Sequence, residues 1–424
     1  MMRGATGYGR RLALLAAAAL ATGCGGDGGS SGADDAGSDA DTDTDTDGDT
    51  DADGDTDTGG DPGPFVLEEG PFTIRQIASG HVAFPDVERL ADGTLIVVYR
   101  EAAIHMVDPT ARLVKQYGTA DGLDWSTPET LYDEAGIDDR DPSIRRLASG
   151  DLALTWFQYR YEPTSDGDLS VHQIFLGLSS DGGESIGEVK LVPDLSMSYP
   201  GAYLADDLLW VDAGGQPVVV TACSNPVVEI GGALYIQNYG GLAWNQGNPA
   251  APKSRISFFI SDDLGATFTE EPLVPEKSKD TWLQEPALLV LPQGRWIVQA
   301  RTAPGSSPGY LGRTWQIASD DGGQTWGDWE ELDFYGHAPY LHRLEDGTLI
   351  TAMRELNASG TQAAVSFAYS LDEGLSWSDP AFIVPWIPVE LGYPSIVDLA
   401  DGRLLFVYYQ AGTSIRGAIF SYQP

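Results

Sequence analysis

Ser319-Asp320-Asp321-Gly322-Gly323-Gln324-Thr325-Trp326 reads Ser-x-Asp-x-Gly-x-Thr-Trp, and the same pattern returns along the chain. Near copies start at Ser179 (Asp181, Gly183, Ser185, with Ile186 for Trp), Ser261 (Asp263, Gly265, Thr267, Phe268) and Ser370 (Asp372, Gly374, Ser376, Trp377), and a shortened copy runs from Thr119 to Trp125. Each describes a tight hairpin. An apolar strand such as Phe258-Phe259-Ile260 enters, the Asp side chain bonds the turn backbone, Gly supplies a positive φ, and the aromatic folds back between sheets. Four good copies define a repeat protein.

A second spacing gives the count. Pro is followed eight residues later by Gly at Pro85/Gly93, Pro142/Gly150, Pro286/Gly294, Pro339/Gly347 and Pro394/Gly402, and each Gly precedes a β-rich run. A distorted sixth copy is expected from Tyr199-Pro200 through Gly214-Gly215, giving six units of four strands with an insertion in the third.

These turns and their spacing resemble the sialidase (neuraminidase) superfamily, in which such turns are called Asp-boxes. The resemblance covers residues 70 to 424 and implies an all-β, six-bladed β-propeller with Asp-box hairpins. In that family the boxes are scaffold. Blade six begins at Tyr393 and carries no box. The chain ends soon after that blade's second strand, so Pro71 to Ala78 is expected to complete its sheet and close the ring.

Ahead of the propeller, Arg3, Arg10 and Arg11 precede the apolar run Leu12 to Ala21 and then Thr22-Gly23-Cys24. That is the form of a lipoprotein signal peptide (1–23) with Cys24 as the lipidated residue. Residues 24–64 follow as a linker. From 25 to 64 there are 14 Asp and no Lys or Arg, a composition that cannot bury enough apolar surface to fold and predicts a disordered acidic tether. Asp43-Thr44-Asp45-Thr46-Asp47-Gly48 resembles the start of a calcium loop, but Gly54 stands where the bidentate Glu is needed, so no metal is assigned. The expected product is an exported protein held on the outer membrane or cell surface by the lipid at Cys24. If Cys24 is lipidated, Cys223 is the only other thiol, and no intramolecular disulfide is expected.

The propeller domain, residues 65–424, retains a net charge near −28 of the whole chain's −39. Such a surface repels nucleic acid and anionic membranes. A monomer acting on a glycan, without a cofactor, is the expectation.

In such a propeller the residues just before each repeating Pro converge on one mouth of the central channel. They are Asp86 beside Pro85, Arg140 and Asp141, Tyr199, Gln284 and Glu285, His337 and Ala338, and Tyr393. Arg100, Arg301 and Arg354 each stand seven residues after their Gly, where a structural strand would carry Val or Thr. The family resemblance implies Tyr393 as nucleophile, Glu285 as its base, Arg301 as a substrate-binding arginine and Asp108 as acid/base. A phenol of ordinary pKa near 10 needs such a base.

Two of the family's three carboxylate-binding arginines are missing. Ala83 occupies the first position, and the strand from Thr361 to Phe367 lacks the third. Arg100, Arg140 and Arg354 are candidates to rebuild an anion site, with Asp86, Asp141 and His337 as further substrate-binding candidates. His81, His105 and His337 otherwise read as satisfied polar residues. Tyr235 and Tyr239, in the Gly-rich stretch Gly231 to Asn248 with Trp244, are read either as a loop over the mouth that stacks on sugar or as a plain surface excursion. Three functions stay open: an exo-acting glycoside hydrolase, a polysaccharide lyase using Tyr199 or Tyr393 with a His, and a non-catalytic glycan-binding propeller.

Overall fold

The protein is described by a computed structural model covering residues 60–164, 167–192, 210–211, 217–218, 221–241, 254–273, 281–304, 312–357 and 360–424. The expected signal peptide, Cys24, most of the tether, Tyr199 and Trp244 lie outside these residues.

The repeat count holds: six four-stranded antiparallel sheets make a six-bladed β-propeller. Blade 1 contains β2 (His81–Arg89), β3 (Leu95–Ala102), β4 (Arg112–Gly118) and β5 (Glu129–Tyr132), and blade 2 contains β6 (Asp138–Arg146) to β9 (Lys190–Val192). A two-stranded pair, β10 (Trp210–Val211) and β11 (Pro217–Val218), precedes blade 3, which runs from β12 (Val228–Ile230) through β13 (Ala233–Gly241) to β15 (Thr269–Pro272). Blade 4 runs from β16 (Thr281–Val290) through β17 (Trp296–Pro304) to β19 (Glu330–Glu331), and blade 5 from β20 (His337–Arg343) through β21 (Leu349–Leu356) to β23 (Ala381–Ile387). Blade 6 takes β24 (Leu391–Asp398), β25 (Leu404–Gln410) and β26 (Ser414–Tyr422), and β1 (Phe65–Gln76) adds its outermost strand. The ring therefore closes as expected, with the C-terminal stretch giving three strands rather than two. The closing pairs run from Phe65 with Tyr422 to Gln76 with Ser414.

Each blade packs between two neighbours, so second strands bury both faces. Leu95 to Tyr99 are all fully buried, which explains an unbroken apolar run where a half-exposed strand would alternate. The Ser-x-Asp turns join third strands to fourth. At Asp372 the Ser370 and Ser376 hydroxyls and the Ser376 amide all donate to the carboxylate, while Gly374 holds φ +79° with its Cα against Ile297. The same bonds recur at Asp181, Asp263 and Asp321.

Two expectations fail in blade 3. The ring Pro is Pro226, not Pro200, because the β12–β13 turn at Gly231-Gly232 follows it so closely that the eight-residue spacing is lost. The additional residues accordingly lie between blades 2 and 3. Tyr235 and Tyr239 stand on β13: Tyr235 meets Trp296 edge-on at 5.4 Å, and Tyr239 is buried, its backbone bridged to Ala222.

Candidate functional site

In five of the six blades the first strand bulges at its Pro, and the preceding residue has positive φ: Phe84 (58°), Asp141 (48°), Glu285 (53°), Ala338 (49°) and Tyr393 (49°). Proline excludes the helical region for its predecessor, and the extra residue re-aims a side chain out of the ladder. The sixth position, Asn225, donates instead to the carbonyls of Pro286 and Pro339. Phe84, Asp141, Asn225, Ala338 and Tyr393 line one cavity between the first strands.

Glu285 and Tyr393, 108 residues apart, are bonded to each other. The phenol donates to Glu285 Oε1 at 2.5 Å. Arg301 Nη1 donates to the same oxygen at 3.0 Å, and the Ala338 amide donates to Oε2 at 2.9 Å. The carboxylate is 3 % exposed and held on both oxygens. Burial, then the charges of Glu285 and Asp141, push the Tyr393 phenol well above its ordinary range. It is therefore protonated at neutral pH.

Asp141 is buried, with Oδ1 lacking a hydrogen-bond partner, and burial pushes its carboxyl up to about 7. Arg140 lies over the Phe84 ring at 5.4 Å and donates to Asp138 at 3.3 Å. Arg354 donates to Nδ1 of the buried His337 at 3.1 Å. Its chain lies against Gly392, where even a Cβ would meet Arg354 Cδ at 2.5 Å. Arg140 and Arg354 both interact electrostatically with the Tyr393 phenol, and the Nε groups of Arg301 and Arg354 have no acceptor.

Four expected site residues take other roles. Arg100 is fully buried; its guanidinium grips Asp138 with two bonds (2.8 and 3.0 Å) and donates to the Ile104 and Met106 carbonyls, so no part faces a substrate. Asp108 is locked into its own loop, accepting from the Ala103, Ile104 and Thr110 amides and the Thr110 hydroxyl. Burial raises its pKa, but these bonds outweigh burial and hold it below the usual carboxylate range, which unfits it as a proton donor. Asp86 accepts from the Val87 and Ile144 amides, tying blade 1 to blade 2. His337 is buried and neutral, its pKa lowered by burial and by Arg301 and Arg354, and it supports Arg354.

Two carboxylates escaped the sequence reading. Asp138 is the partner of Arg100 and Arg140. Glu390, three residues before Tyr393, accepts from His105 Nδ1 at 2.6 Å and from the Tyr409 hydroxyl at 2.9 Å. A charged residue in the apolar approach Ile387-Pro388-Val389-Glu390-Leu391 was the available signal.

No protein-family model matches the sequence, and no curated protein does. Among solved structures, the fold is similar to a protein of unknown function from Dyadobacter fermentans (21% identity, 85% of this chain and 100% of that one, TM-score 0.67). It is also similar to the NanB sialidase of Streptococcus pneumoniae (14% identity, 84% and 71%, TM-score 0.56). A third neighbour is the Penicillium chrysogenum alpha-L-arabinanase solved with arabinobiose (16% identity, 82% and 96%, TM-score 0.57). The chain thus has the propeller fold found in sialidases and an arabinanase.

Proposed function

We propose that the protein is an exo-acting glycoside hydrolase that removes a terminal acidic sugar through Tyr393. The observation that carries this reading is the 2.5 Å bond from the half-buried phenol to a carboxylate already held by Arg301 and a backbone amide. A phenol whose pKa is raised is a poor nucleophile until an adjacent base takes its proton, and Glu285 is bonded to it. Once ionised, Tyr393 attacks the anomeric carbon and forms a tyrosyl glycoside that water then cleaves. A nucleophile that is neutral before attack meets an anionic sugar without the repulsion a carboxylate would suffer.

The acidic sugar is supported by Arg140, Arg301 and Arg354. Of the four arginines expected to bind substrate these three are kept, and Arg100 drops out. A bidentate Arg–carboxylate contact is directional as well as charge-assisted.

The test is a panel of 4-nitrophenyl sialosides, glucuronides and arabinosides with the wild type and Tyr393→Phe. We expect turnover on an acidic member and a loss of about 10²–10⁴-fold or more in kcat/KM on removing the hydroxyl. Unchanged turnover in Tyr393→Phe refutes the role. We further propose export and anchoring through Cys24, with a monomeric propeller outside the cell. Palmitate labelling abolished by Cys24→Ala, and a monomer mass by light scattering, are the expected results.

A further inference from the structure

We propose that His105, oriented by Glu390, is the proton donor and acceptor of this reaction; the inference rests on Tyr393 being the nucleophile. The loop between β3 and β4 presents His105 in a fixed place. Arg100 binds the carbonyls of the residues on either side, Ile104 and Met106, and Asp108 binds the Ala103 and Ile104 amides. The backbone is tied down around His105, whose own side chain is 37% exposed.

The tautomer follows from the partners. Burial raises the Glu390 pKa, but the bond from His105 and the nearness of His81 outweigh that effect and hold it ionised, so it can only accept. His105 therefore keeps a proton on Nδ1, facing Glu390 at 2.6 Å, and Nε2 is the nitrogen left to give and take the proton that is exchanged. A carboxylate orienting one imidazole nitrogen so that the other can exchange protons is the arrangement general acid–base catalysis uses. His105 stacks edge-on to Phe84 at 5.9 Å, and Phe84 stacks edge-on to Tyr393 at 4.8 Å. The imidazole and the phenol thus flank one ring.

His81, His105 and Glu390 also place their ligand atoms within 4.8 Å of one another, and His81 Nε2 is buried without a hydrogen-bond partner 3.6 Å from Glu390. The chemistry around His81 opposes a cation. Arg100 Nη1 stands 3.4 Å from His81 Nδ1 and can only donate, which keeps the lone pair on Nδ1 and the proton on Nε2. A metal-bound histidine needs the reverse, with its free N–H directed at an acceptor.

In the first step the Tyr393 oxygen bonds the anomeric carbon as its proton passes to Glu285. The bond to the leaving oxygen breaks, and that oxygen takes the Nε2 proton of His105, which enters the step doubly protonated and leaves it with the Nδ1 proton alone. In the second step His105 Nε2 removes a proton from water, whose oxygen bonds the anomeric carbon. The tyrosyl bond breaks, and Glu285 returns the proton to the phenolate. Protons and electron pairs balance without a co-reactant.

The experiment compares kcat/KM of wild type, His105→Ala, Glu390→Gln and Tyr393→Phe on 4-methoxyphenyl and 2,4-dinitrophenyl glycosides of the sugar turned over. The poor leaving group needs a proton and the good one does not. His105→Ala is expected to cost about 10²–10⁴-fold on the methoxyphenyl glycoside and under about tenfold on the dinitrophenyl one. Glu390→Gln is expected to fall between. In protein labelled with ¹⁵N-histidine and titrated until the ring is neutral, the neutral His105 ring is expected as the Nδ1–H form in wild type and as a tautomer mixture in Glu390→Gln. Equal losses on both glycosides, no loss, an Nε2–H tautomer, or a zinc-induced thermal shift abolished by both His81→Ala and His105→Ala overturns this inference alone. Turnover untouched by Tyr393→Phe, or absent in the wild type, overturns the hydrolase reading and this role with it.

Discussion

Replacing Asp141 with Asn should make the protein more resistant to alkaline conditions. Burial raises the Asp141 carboxyl to about 7; the neighbouring Glu285 and Asp138 raise it too, while Arg140 and Arg100 lower it. In the unfolded chain it titrates near 3.9. The folded state therefore holds the proton more tightly, so the contribution is fully present below about pH 4 and is lost as pH rises through 7. About three pKa units at 1.36 kcal/mol each set an upper bound of about 4 kcal/mol. At about 2.1 cal/mol/K per residue, a 360-residue domain converts this to about 5 °C in Tm. Asn is uncharged at every pH and tolerates positive φ better than most residues, so it suits the 48° of this position. The assay is thermal unfolding of both proteins from pH 4 to 8.5. The Tm of Asp141→Asn relative to wild type should climb by up to about 5 °C across that range. Asp86 and Asp139, also raised by burial, are common to both proteins and cancel. A Tm difference that is flat or falls with pH refutes the argument.

Arg100→Ala leaves Asp138 buried with a weaker partner and frees the Ile104 and Met106 carbonyls, so urea unfolding should show a loss of about 3–5 kcal/mol. A loss under 1 kcal/mol would return Arg100 to the candidates for substrate contact. Gly374→Ala and Gly294→Ala both place a Cβ at positive φ, but only at Gly374 does it meet a neighbour, Ile297 Cδ1 at 2.5 Å. The same measurement should find Gly374→Ala worse by about 1–3 kcal/mol, and equal losses would refute packing at that turn.

The sequence carries the fold through repetition, because a turn that must satisfy its own backbone in a fixed way leaves the same residues each time. It also carries the pairing of Glu285 with Tyr393, since both occupy the same repeat position and the ring brings such positions together. The fates of the arginines are not legible this way. Arg100 and Arg301 share a register, seven residues after Gly, yet Asp138 from blade 2 and the Ile104 and Met106 carbonyls occupy one, while the other shares a Glu285 oxygen with the phenol. That difference depends on what the next blade offers at the same height. The loop that carries Asp108 has the same lesson on a smaller scale, because the carboxylate there serves the backbone and the histidine three residues earlier faces outward.

Strained backbone marks many functional sites, but here the inference needs another step. The positive-φ bulge occurs in five blades, at Phe84 and Ala338 as well as at Asp141, Glu285 and Tyr393. Its cost therefore belongs to the propeller and says nothing about which blade does chemistry. Side-chain identity at a shared backbone position decides that. Ala338 offers only its amide, which supports Glu285, and Phe84 offers a ring between Tyr393 and His105. Three bulges carry ionisable groups, and two of these, a phenol and a carboxylate, are bonded to each other where burial holds the phenol's proton in place. A fold that repeats one backbone device can thus vary the groups it presents by single substitutions.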